Sequence, residues 1–65
     1  DGELRRVTDE LIDLERAGIK EYKILAKESG DLYHGLFKIL LDGMIRDSEK
    51  HLEMLQFLKE NLKTS

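Results

Sequence analysis

Apolar residues recur at steps of three and four along almost the whole chain. In the first half, one stripe of this kind consists of Leu4, Val7, Leu11, Leu14, Gly18, Tyr22 and Leu25. In the second half, the stripe consists of Phe37, Leu41, Met44, Ser48, His51, Leu55, Leu58 and Leu62, and it is widened by Leu36, Leu40, Ile45 and Leu52. This spacing predicts two amphipathic α-helices with broad apolar faces.

The sequence "ESGDL" at 28–32 interrupts the periodic pattern. Gly30 suits the left-handed position after a helix end, and the Asp31 side chain can accept hydrogen bonds from the first free amides of a following helix. So short a connection predicts an antiparallel helical hairpin. We therefore expect a single domain over 1–65, in which helix 1, the turn and helix 2 cover about 3–28, 29–31 and 32–62.

The width of the two apolar stripes predicts self-association. Two helices cannot cover both stripes with each other alone, and a chain of 65 residues without cysteine has no disulfide to support a small core. The simplest solution pairs two hairpins about a two-fold axis. We predict an all-α fold in which the hairpin forms a homodimeric four-helix bundle.

Charge and hydropathy exclude several classes of partner. The net charge is -3, and the basic residues are scattered, which argues against a nucleic-acid partner because phosphate binding needs a basic stripe. No apolar run approaches the roughly 20 residues that cross a bilayer, and no signal peptide is visible. We therefore expect no membrane partner and a cytoplasmic protein.

Polar residues on the stripes are the candidates for chemistry. Glu15 follows Leu11 by four residues, and a buried carboxylate costs several kcal/mol unless it is paired, protonated or bound to a cation. His51 continues the stripe of helix 2. In an ideal hairpin, the distances of His51 and Glu15 from the turn, measured along the helix axes, differ by roughly 9 Å. Asp47 lies four residues before His51, within reach of the same face. The alternative is a Glu15 that reaches solvent and a His51 that is an ordinary boundary residue.

A dimer would supply each of these groups twice. Two Glu15 and two His51, with Asp47 as a further carboxylate, suit zinc, iron or manganese, because imidazole and carboxylate serve all three metals. The sequence therefore predicts a metal site composed of Glu15, His51 and Asp47 across a dimer, or no metal if the site is incomplete.

Two segments carry a family resemblance, "ELIDLERAGIKEYKILAKESGD" and "LFKILLDGMIRDSEKHLEML". They resemble the ferritin-like superfamily, more particularly its rubrerythrin type, over about 8–58. The family pattern has a metal-binding Glu seven residues before an aromatic, matched by Glu15 and Tyr22, and a Glu-x-x-His motif on the next helix, matched by His51. Ser48 stands where that second motif has its Glu.

The resemblance implies a four-helix bundle that binds iron and carries out iron-dependent oxidation at a site shared across the dimer. No residue is assigned a catalytic role, and whether the chain is an enzyme stays open. One alternative is a non-enzymatic dimerisation or interaction module with a degenerate metal site, which the loss of a carboxylate at Ser48 favours. Another is a piece of a larger ferritin-like chain.

Overall fold

The computed structural model describes residues 2–63, which form an antiparallel helical hairpin. Helix α1 covers Gly2–Ser29, a short 3₁₀ segment covers Leu32–Gly35, and helix α2 covers Leu36–Lys63. The all-α class and the hairpin are thereby confirmed. The hairpin is a thin rod with extents of 50 × 14 × 11 Å. None of the helices in the described part of the chain is long and apolar enough to span a bilayer.

The connection between the helices is longer and more strained than the sequence predicts. Gly30 has the expected left-handed backbone, with φ of 55°, but Tyr33 and His34 also have φ of 54° and 58°. Left-handed backbone at residues with a side chain costs roughly 1–2 kcal/mol each. Helix α2 accordingly begins at Leu36 rather than at about residue 32.

The prediction that Asp31 caps α2 was wrong. Its side chain makes no capping hydrogen bond to the described residues. Instead, its backbone carbonyl accepts a hydrogen bond from the Gly35 N–H at 3.3 Å. The physical reason is distance along the chain, since α2 begins at Leu36 and Asp31 precedes the 3₁₀ segment that separates the two helices.

The core between α1 and α2 is narrow. It consists of buried side chains from both helices: Thr8, Ile12, Ile19, Ala26, Leu41 and Ile45. The Thr8 hydroxyl is satisfied locally, because it donates to the Leu4 carbonyl at 2.7 Å. Near the open end of the hairpin, Lys59 Nζ and Asp9 Oδ1 form an ion pair at 2.7 Å that links the two helices.

The apolar stripe predicted for helix 1 is not the one that faces α2. Residues at 8, 12, 19 and 26 make that contact, whereas Leu11 and Leu14 of the predicted stripe are exposed. Helix α1 is apolar on two adjacent lines, and a single neighbouring helix covers only one of them. The longer leucines are therefore left on an open face.

This open face runs along one broad side of the hairpin, which we call the apolar side. Its members are exposed apolar residues of both helices: Leu4, Leu11, Leu14 and Leu25 of α1, with Phe37, Leu40, Met54 and Leu58 of α2. In each helix they lie about 55–160° around the axis from the mean direction of the residues that form the core. The hairpin by itself thus leaves much of its apolar surface in water.

Candidate functional site

Glu15 and His51 meet near the middle of the hairpin. Glu15 precedes the end of α1 at Ser29 by 14 residues, and His51 follows the start of α2 at Leu36 by 15. The two side chains are therefore level, and His51 Nδ1 lies 3.6 Å from Glu15 Oε1. The sequence-based depth difference of roughly 9 Å was too large, because the 3₁₀ segment removes four residues from the start of the second helix.

The Glu15–His51 pair lies in a groove on the apolar side. The groove has a volume of about 490 Å³, and its other lining residues are apolar: Leu11, Leu14, Met54, Leu55 and Leu58. A groove of this size with two convergent polar groups has the composition of a binding surface. It is open along its length rather than enclosed, so it suits an elongated occupant such as a helix.

The two members of the pair differ in their exposure. The Glu15 side chain is 26% exposed, whereas that of His51 is 58% exposed. A separation of 3.6 Å is too long for a hydrogen bond, so the pair is held by charge when the imidazole is protonated. Glu15 Oε2 is buried and has no hydrogen-bond partner among the described residues. A buried carboxylate oxygen in this state favours a cation or a hydrogen-bond donor as its neighbour.

Asp47 does not complete a three-ligand site with this pair in one chain. Within residues 2–63, no group of three or more His, Cys, Asp or Glu side chains is arranged to hold a metal ion. Asp47 is exposed on α2, one turn before His51. Ser48, at the place of the expected carboxylate, is partly buried. One hairpin therefore brings two of the three candidate metal ligands together at the groove.

Sequence reasoning missed Met54 as a lining residue of the groove. Met54 lies outside the predicted stripe of helix 2, although it follows His51 by three residues and so shares its face. Reading the helix from His51 rather than from the apolar stripe would have found it. The breadth of the apolar stripe in the sequence could have indicated that Met54 lines the groove, since Met54 extends the apolar surface beyond Leu55 and Leu58.

A second apolar surface lies at the closed end of the hairpin. It forms a depression of about 340 Å³ lined by Tyr33, Leu36, Phe37, Ile39 and Leu40. The sequence signal is the run 32–41, which is the longest stretch of the chain without a carboxylate. Phe37 and Leu40 belong to the apolar side as well, so the two surfaces are continuous.

Comparisons with protein-family models, with curated proteins and with solved structures find no match to this chain.

Proposed function

We propose that the protein is a helical self-association module whose apolar side covers the same side of a second copy in a four-helix bundle. The contiguous apolar side carries this proposal. Leu14, Leu40 and Met54 are each at least 60% exposed in the single hairpin. Monomeric proteins rarely expose contiguous apolar surface of this extent, and such a surface marks an interaction site.

The size of the exposed surface supports a second copy as the occupant. The hairpin exposes 5192 Å², about 900 Å² more than a compact monomer of 7.6 kDa is expected to expose. A standard stable interface buries about 800 Å² on each partner. Covering the excess surface on both copies therefore matches the area that a stable dimer needs.

The position of the Glu15–His51 pair supports a site shared by the two copies. The pair lies near the midpoint of both helices. When two hairpins overlap over their full length, their midpoints coincide, whichever way the second copy points. The bundle would therefore bring two Glu15 and two His51 together at one level of its core.

Metal binding at this level is the second candidate function. Glu15 Oε2 is buried and has no hydrogen-bond partner within residues 2–63. This favours metal binding, because a cation would satisfy that oxygen. Two carboxylates and two imidazoles make a four-ligand set that suits zinc and is also compatible with manganese or iron. A ferritin-like di-iron centre uses four Glu and two His, so iron-dependent oxidation would require further carboxylates such as Asp47.

A cytoplasmic location stays a prediction.

Thermal unfolding at two chain concentrations tests the self-association. The free energy of unfolding of an obligate dimer depends on chain concentration, whereas that of a monomer does not. Circular dichroism melts at low and high micromolar concentration should give a Tm that rises with concentration. An unchanged Tm across a hundredfold range would overturn the proposal.

Elemental analysis and titration test the metal candidate separately. Protein purified without chelator should bind Zn(II), Mn(II) or Fe(II) at one ion for each pair of chains. Glu15→Ala and His51→Ala should each abolish binding. Asp47→Ala is the informative companion, since loss of binding in that variant shows that Asp47 replaces the carboxylate missing at Ser48. Failure of all three metals to bind a demonstrated dimer would refute metal binding and leave self-association standing.

A further inference from the structure

We infer that the two hairpins of the dimer lie with both closed ends at the same end of the bundle, so that α1 of one copy packs on α2 of the other. This inference rests on the proposed self-association and adds the orientation of the second copy. Two-fold packing of the apolar sides allows two arrangements. The same-end arrangement places α1 on the second copy's α2, and the end-for-end arrangement places α1 on α1 and α2 on α2.

The Glu15–His51 pair favours the same-end arrangement. End-for-end packing would set Glu15 against Glu15 of the second copy in an apolar groove, and two ionised carboxylates there repel each other and can only accept hydrogen bonds. Same-end packing sets Glu15 against the second copy's His51. The buried Oε2 of Glu15, which has no partner among the described residues, would then face an imidazole that can donate.

A row of carboxylates along α1 favours the same arrangement. Along α1, the following carboxylates lie within about 20° of one another around the helix axis, next to Leu14 and Leu25 of the apolar side: Glu3, Glu10, Glu21 and Glu28. Because the midpoint of α1 lies between residues 15 and 16, end-for-end packing would bring Glu10 level with Glu21 of the second copy. It would likewise bring Glu3 level with Glu28.

Part of this row is already neutralised in the single hairpin. The Arg6 guanidinium pairs with both Glu3 and Glu10, which reduces the negative charge at that end of the row. End-for-end packing would still bring Glu21 level with Glu10 of the second copy, and two carboxylates so placed disfavour that arrangement. In the same-end arrangement, α1 packs on the second copy's α2, so the two rows of carboxylates are not set against each other.

Distances between spin labels on the two copies test the orientation. The chain has no cysteine, so Lys27→Cys and Arg16→Cys each provide one labelling position, and both side chains are exposed on α1. Arg16 lies at the midpoint of the helix, whereas Lys27 lies about 17 Å along the axis from it. Arg16→Cys is therefore the matched control, because its separation is insensitive to orientation.

Pulsed dipolar spectroscopy should give the same separation for both labelled variants, within about 5 Å, because same-end packing keeps each residue level with its counterpart. End-for-end packing would add about 35 Å along the axis for Lys27 alone, so a separation longer than the control by more than about 10 Å would overturn the orientation. An absence of coupling between copies in the Arg16 variant would instead refute the self-association on which the orientation rests.

Discussion

Replacing Leu14 by Ser should weaken the dimer strongly while leaving the isolated hairpin nearly unchanged. Leu14 is 67% exposed in the single hairpin, and it lines the groove beside Glu15. Complete burial of a leucine side chain stabilises by about 1.5–3 kcal/mol. Covering the exposed two-thirds should therefore contribute about 1–2 kcal/mol for each copy, and about 2–4 kcal/mol for the symmetric dimer.

This loss corresponds to a dissociation constant raised by about 30- to 700-fold, which isothermal dilution calorimetry can measure. Phe57→Ser is the matched control. Phe57 is 73% exposed, but it lies outside the groove, on the edge of α2 that points away from α1. Its replacement should change the dissociation constant by less than about threefold. Equal effects of the two substitutions would refute the assignment of the apolar side as the interface.

Five further outcomes follow from the fold and the site. Ile12→Ala should lower the free energy of unfolding by about 2–4 kcal/mol, seen in urea melts, because Ile12 is 4% exposed in a narrow core. Gly43→Ala should raise it by up to about 1 kcal/mol, since a Cβ there meets nothing within 4 Å, whereas Gly30→Ala at φ of 55° should lower it. His34→Gly should raise it by about 1 kcal/mol by relieving left-handed backbone. If the metal candidate holds, Ser48→Glu should tighten metal binding at least tenfold in a competition titration, and an unchanged affinity would count against the proposed alignment with Glu-x-x-His.

The helical periods and Gly30 were sufficient to predict the hairpin, because both are local properties of the chain. The sequence did not predict in the same way which apolar residues face the other helix and which stay exposed. Helix α1 is apolar on two adjacent lines, and the period alone does not say that Thr8 and Ala26 face α2 while Leu11 and Leu14 stay open. The excess width of the stripes was nevertheless visible in the sequence, and it is the property from which self-association was expected.

The sequence indicated that Glu15 and His51 lie on the inner faces of the two helices, but it did not give their geometry. Glu15 and His51 were identified as inner polar residues from their place in the stripes. Their equal depth in the hairpin depends on the 3₁₀ segment, which arises from left-handed backbone at Tyr33 and His34. Residues other than glycine adopt that conformation uncommonly. Asp47 lies one turn before His51 on α2 and forms no group of three metal-binding side chains with the pair among the described residues.

Sedimentation equilibrium of the unmodified chain tests the self-association most directly. The expected result is a mass of about 15 kDa, twice the 7.6 kDa of one chain, over the micromolar range in which a standard interface holds. The dimer should dissociate to single chains on dilution, with the Leu14→Ser variant dissociating at higher concentration. A mass of one chain at every concentration up to the millimolar range would contradict self-association through the apolar side.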